Sequence, residues 1–191
     1  MNQIEPFLER VATAAIDAGL ADATYGTLET PVGRLLVVQT PKGVCRVAFE
    51  EEDPDRVLSQ VAATVGARVV RSRATTAAVE EAFEYYFEGR DLDLRLPVDL
   101  SLVTAPFQRD VLGTLRRIRG GRVVTYSELA ARAGRPRAWR AAGSAVARNP
   151  IPILVPCHRV VPSTGGVGNY GGGVRRKRYL LSLEGSLPRP A

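Results

Sequence analysis

This chain is poor in the residues from which most metal sites and disulfide frameworks are built. Its 191 residues include one histidine, His158, and two cysteines, Cys45 and Cys157. There is no Cys-x-x-Cys and no histidine pair, so a zinc site would have to draw on carboxylates; neither a metal nor any other cofactor is expected. Two cysteines in a chain of cytosolic character read as reduced thiols rather than a disulfide. Long apolar runs are missing as well. Nothing approaches the ~18 uninterrupted apolar residues of a membrane span, so no membrane partner is expected. The first twenty residues carry Glu5, Glu9 and Asp17 where a signal peptide has a basic head before an apolar block. A cytoplasmic location is the expectation.

Acid is nearly absent from the second half. Residues 1–100 hold 10 Lys/Arg and 17 Asp/Glu, a net of −7, whereas residues 101–191 hold 16 and 3, a net of +13. The basic half looks built for a polyanion. Of the 26 basic residues 24 are arginine; a codon bias would explain arginine over lysine but not the split between halves. Apolar content of 45% and charged content of 24% are ordinary for a globular chain that could form one large domain or two small ones.

What is present sorts into an α+β arrangement. Residues 4–19 have helical spacing (Ile4, Leu8, Val11, Ala15, Ile16), with Gly19 as a stop, so residues 1–22 read as an additional helix. "TYGTLET", "RLLVVQT" and "VCRVAFE" are β-rich runs punctuated by "PVG" and "PKG", which predicts hairpins in a small antiparallel sheet. Cys45, inside the third run, reads as a small buried apolar residue. "DPDRVLSQVAATVG" opens on helix-start residues, "ARVVRSR" reads as a further strand, and "TTAAVEEAFEYYFEGR" as a helix with Tyr86 on its apolar side. The charge balance changes after "DLDLRLPVDLSLV", a connector with some strand character, so the boundary is placed near residue 100: an N-terminal α/β domain over 1–100, then a mainly helical domain over 101–191.

In that second half "APFQRDVLGTLRRI" is amphipathic, and "GGRVVTYSELAARAGRPRAWRAAGSAVARNP" reads as helix, short turn, helix. Thr125 or Ser127 caps the first helix, Gly134 ends it, and Pro136 opens the second. Arg137, Arg140 and Arg148 on a second helix otherwise made of small residues resemble a helix-turn-helix. Next comes "IPILVPCHRVVP". Its apolar runs predict a buried strand, Ile151 to Val155 and Val160 to Val161, carrying the polar trio Cys157-His158-Arg159. A nucleophilic cysteine must reach the thiolate, which an imidazole assists by taking the proton and a cation such as Arg159 favours. A buried inert thiol beside a hydrogen-bonded core histidine is the alternative.

"NPIPILVPCHRVV", with "VVTYSELAARAG" before it and "GGVGNYGGGVRRKRYLLSLEG" after it, resembles the O6-alkylguanine-DNA alkyltransferases, over about residues 103–185. The resemblance implies DNA repair by a single, irreversible transfer of a methyl or alkyl group to Cys157, from O6 of guanine and with O4 of thymine as a further candidate. It implies a monomer bound to double-stranded DNA through the minor groove, with the damaged nucleotide flipped out of the stack. It makes His158 a base acting through water, Glu184 the carboxylate that orients it, and Asn149 the brace of the turn before the acceptor. Tyr126, the Val160 carbonyl, Tyr170 and the Gly171 N–H would meet the base. Arg140 would fill the vacated stack, with Ala138, Ala141, Gly143 and Thr125 at the DNA surface.

Three departures bear on substrate range and affinity, one of them Pro162, which stiffens the exit from the acceptor segment. The run Gly171–Gly173 should be floppier and roomier than the side chain many relatives carry after the tyrosine. Trp139 stands before the finger position where a small residue is common; it reads as a packing anchor, with DNA-backbone contact as the alternative. Three rival functions follow from the same residues. A non-enzymatic damage sensor should lack the cysteine, a sequence-specific regulator should prefer one undamaged site, and a Cys-His hydrolase should turn over repeatedly.

Overall fold

A computed structural model describes residues 4–187, which fall into two compact units. The first runs to Glu84 and takes back Leu96–Leu102; the second comprises Tyr85–Arg95 and everything from Val103. The boundary read near residue 100 lies inside the returning segment, and the 85–95 stretch is grouped with the later residues.

In the first unit, α1 (Ile4–Asp17) ends before Gly19, whose φ of 66° no ordinary helix residue adopts easily. Strands β1 (Ala23–Leu28), β2 (Leu35–Thr40) and β3 (Gly43–Phe49) form antiparallel hairpins. Gly43 is required at its turn: φ is 131°, and a Cβ there would come within 2.4 Å of the Pro97 carbonyl oxygen. The sheet is not wholly antiparallel. β4 (Val69–Arg71) adds to the far edge parallel to β1, giving the order β3-β2-β1-β4. A helical crossover makes the parallel pairing possible: α2 (Pro54–Val65) connects β3 to β4, with the Asp53 side chain accepting from the Arg56 N–H and Pro54 at its start. Its Val57 and Val61 pack on Leu36, Val38, Cys45 and Ala48, each valine contributing roughly 1.5–3 kcal/mol of burial. Cys45 is as expected an inert core thiol, pushed up to about 12 by burial. α3 (Arg73–Phe87) completes this half of the chain.

The second unit is mainly helical. α4 (Pro106–Leu115) buries Val111, Leu112 and Leu115; β5 (Val124–Thr125) leads into α5 (Tyr126–Arg132), and a turn leads into α6 (Trp139–Ala147). Thr125 caps α5 in a reciprocal box with Glu128, and Gly134 leaves it at φ 79°. Pro136 does not open the next helix. It lies in the turn, where the Ala138 N–H bonds the Arg135 carbonyl, and α6 starts at Trp139. β6 (Val160–Val161) pairs in parallel with β5, and α7 (Val174–Leu183) closes the unit.

The buried strand expected over Ile151–Val155 is absent. The segment is a closed turn, with the Val155 N–H bonding the Ile151 carbonyl and Ile153 held at φ 74°. Prolines at 150, 152 and 156 remove the N–H groups a ladder would need, and only a lone Pro152–Val155 bridge forms. Cys157–Arg159 is then one turn of 3₁₀ helix, and strand character begins only at Val160. The apolar run reflects burial on all sides, which a core turn and a core strand share.

Candidate active site

Asn149 follows the end of α6, and each polar atom of its side chain is used. Its Oδ1 accepts from the Ile151 N–H at 3.0 Å, and its Nδ2 donates to the Val155 carbonyl at 2.8 Å. The same Nδ2 lies 3.0 Å from the Cys157 Sγ as a donor. One amide therefore closes the turn and contacts the sulfur. The turn delivers Cys157 to the start of the 3₁₀ segment, where the thiol is only 5% exposed.

Burial pushes the Cys157 thiol up from its ordinary value, because an isolated thiolate would lose its hydration. Against that work the Asn149 amide, the Lys177 charge, its own backbone N–H and the Tyr170 hydroxyl. At rest the sulfur is a protonated thiol surrounded by groups that favour its anion. Arg159, expected to supply the cation, turns away from it. Its Nε donates to both Glu184 carboxylate oxygens, at 3.0 and 3.2 Å, and its terminal nitrogens bond the Ile118 and Leu92 carbonyls. The cation that Cys157 feels is Lys177.

Lys177 sits within "RRKR", a run that reads as surface charge and carries no motif to mark it. It is fully buried, donating to the Val160 carbonyl at 2.6 Å and the Asn169 carbonyl at 3.3 Å, and burial brings it down to about 8. Its signal was helical spacing: Lys177, Leu180, Leu181 and Glu184 occupy one face of α7 and its end, and all are buried.

His158 is fully buried, with Nε2 3.0 Å from Glu184 Oε1. Burial would raise the Glu184 carboxyl, but hydrogen bonds with His158 and Arg159 outweigh it and hold the group at about 2. An ionised carboxylate can only accept, so Nε2 carries the proton and Nδ1 presents its lone pair. Nδ1 has no protein partner among the described residues. Burial, the largest cause, holds the imidazole below its usual value, with Arg159 and Lys177 acting the same way against Glu184; His158 is neutral at pH 7. The Tyr86 hydroxyl donates to Glu184 Oε1 at 2.8 Å from the last turn of α3. The aromatic spacing placed Tyr86 in a core but held no sign of a partner 98 residues away.

The remaining expected residues divide. Tyr126 is half-buried and feels Cys157 electrostatically; burial pushes its hydroxyl up, so it stays protonated. Tyr170 has its hydroxyl sealed from solvent beside the thiol. The Val160 carbonyl already accepts from Lys177. Gly171 is exposed, with nothing within 4 Å of an added Cβ. The glycine run it opens is tied down: Gly173 N–H bonds the Tyr170 carbonyl, and the Gly172 carbonyl accepts from Arg176. On α6, Arg140 and Ala141 are exposed, while Ala138 is half-buried. Gly143 faces inward, where a Cβ would lie 3.6 Å from the Tyr126 ring. Thr125 is half-buried, and its hydroxyl is engaged with Glu128 in the cap. Trp139 is not a packing anchor: it is 46% exposed, with the Arg140 guanidinium stacked 4.5 Å over its ring.

Among the described residues no cluster of three His, Cys, Asp or Glu could hold a metal ion, and no helix is long and apolar enough to cross a membrane. Residues 106–186 match the family profile described as 6-O-methylguanine DNA methyltransferase, DNA binding domain, and residues 23–100 match the ribonuclease-like domain of the same protein. A methylated-DNA–protein-cysteine methyltransferase of Haemophilus influenzae is 35% identical over 160 residues, covering 84% of this chain and 85% of its own. The chain belongs to that family. Two solved structures of the methyltransferase family, both from Mycobacterium tuberculosis, share the fold at 32% identity and a TM-score of 0.73. One, of an O6-methylguanine methyltransferase, covers 88% of this chain and 96% of its own; the other, of OGT in complex with DNA, covers 85% and 93%.

Proposed function

We propose that this methyltransferase repairs double-stranded DNA by moving a methyl or larger alkyl group from O6 of guanine onto the Cys157 sulfur, once and irreversibly. The carrying observation is the placement of Cys157 within reach of Asn149, Lys177 and Tyr170, next in sequence to a neutral histidine whose free nitrogen is fixed by Glu184.

The step is a displacement at carbon. The S–C bond forms as the C–O6 bond breaks, the thiol proton leaves through a bridging water to His158 Nδ1, and guanine recovers a proton on release. Glu184 orients the ring and balances the imidazolium, as carboxylates do in catalytic triads. The protonated Tyr126 hydroxyl is a donor for the departing base. A thioether on Cys157 has no leaving group to reverse the reaction. The target carbon is inaccessible within a stacked duplex, so the nucleotide is flipped, with Arg140 on the exposed side of α6 entering the gap from the minor groove. The protein acts as a monomer in the cytoplasm, and O4 of alkylated thymine is a second candidate substrate atom.

Mass spectrometry after mixing with duplex DNA carrying O6-methylguanine tests the reading. One methyl on the peptide containing Cys157, at a one-to-one endpoint, is expected. An unmodified Cys157 with lesion binding intact would leave a damage sensor, and repeated turnover a hydrolase.

A further inference from the structure

Five arginines and a single carboxylate line one cavity of about 310 Å³ within the second unit: Arg95, Arg116, Arg117, Arg119 and Arg159, with Asp93. The carboxylate is heavily engaged. It accepts from the Gly120 N–H at 2.7 Å and lies 3.8 Å from Arg159 and 4.0 Å from Arg95. The charge of Arg159 is met by Glu184, but the exposed Arg117 and Arg119 side chains form no ion pair among the described residues. A concave site with surplus positive charge focuses potential on an anion.

The backbone adds a separate observation. Among the described residues only two non-glycine positions have positive φ, Leu94 at 38° and Ile153 at 74°, and both line this cavity. A β-branched residue there is a real outlier. Such strain persists only where the surroundings over-determine it, and it gathers at ligand sites. The Asn149-braced turn accounts for Ile153 as part of the acceptor segment; Leu94 belongs to no part of that site.

We propose that this cavity is a binding site for a phosphate group. The exposed guanidinium groups of Arg117 and Arg119, with Arg95 and Arg116 also in the lining, suit a tetrahedral oxyanion, whose oxygens accept in pairs. None of Arg140, Ala138, Ala141, Gly143 or Thr125 lines it, so the site is distinct from the DNA surface proposed above. It nonetheless adjoins the acceptor: Pro156 in its wall precedes Cys157, and Arg159 in its lining holds Glu184. The site does not depend on Cys157 being an alkyl acceptor.

The test is calorimetric titration of the full chain with inorganic phosphate in a chloride buffer. Arg117→Ala/Arg119→Ala is compared with Arg175→Ala/Arg178→Ala, which removes the same charge from exposed positions outside the cavity. Saturable one-to-one binding by the unaltered chain and the second pair, weakened at least tenfold in the first, is expected. No saturable binding by the unaltered chain, or equal weakening in both pairs, overturns the site. With binding established, undamaged duplex DNA distinguishes the source: displacement of phosphate makes a DNA backbone phosphate the occupant, and retention makes it a free phosphate or phosphomonoester.

Discussion

A buried lysine beside a buried cysteine is a balance of two opposing penalties. Burial favours neutral lysine and neutral thiol, yet each charge stabilises the other, as the mutual influence of Cys157 and Lys177 shows. Lys177→Met should therefore slow methylation of Cys157 by about tenfold, because the thiolate loses the cation that favours it. Lys177 loses its proton as pH rises through about 8, so the gap between variant and parent should close above that pH. Single-turnover rates at pH 7 and 9 measure it. Stability should fall by about 1–3 kcal/mol, because the Val160 and Asn169 carbonyls lose their donor, which the removed desolvation cost of the charge offsets only in part; an unfolded variant would show that Lys177 is structural instead.

At the scale of the element, α6 presents the exposed pair Trp139 and Arg140 at its first turn. Trp139 is the only tryptophan in the chain and carries the Arg140 guanidinium on its ring. If Arg140 leaves that ring to enter the duplex, tryptophan emission should change on binding lesion DNA, and Arg140→Ala should remove most of the change while slowing duplex repair. Equal repair rates for parent and variant on duplex substrate would end the finger assignment. The helices themselves were readable because capping chemistry is local: Asp53, Thr125 and Gly134 act within four residues of where they stand. The acceptor segment is a turn where its apolar run predicts a strand, because a run such as Ile151–Val155 encodes burial without encoding extension. Its prolines held the correction. Glu184 was placed by motif resemblance, whereas its bonds to Tyr86 and Arg159 join residues 98 and 25 positions away and have no local sign.

For the whole molecule, the charge split is the largest feature. A net of +13 over residues 101–191, against −7 before them, confines attraction for a polyanion to one part of the chain. Affinity for undamaged duplex should fall steeply with salt, by roughly a thousandfold or more between about 50 and 200 mM if six or more phosphates are neutralised. It should differ little between sequences; fluorescence anisotropy with several unrelated duplexes measures both, and a strong preference for one undamaged site would point to a regulator. Family membership was legible in the second half, where the acceptor motif and its flanks carry chemistry. The first half, matched at residues 23–100, offered only a pattern of short strands and helices, because a sheet core tolerates many apolar sequences.

The 5% exposure of Cys157 has one more consequence. A molecule that can react only once is lost to any stray electrophile or oxidant that reaches its sulfur first. A protonated, almost fully buried thiol is a poor nucleophile toward such molecules, and the groups that favour its anion are already around it. Selectivity for damaged DNA then resides as much in what cannot reach the sulfur as in what can.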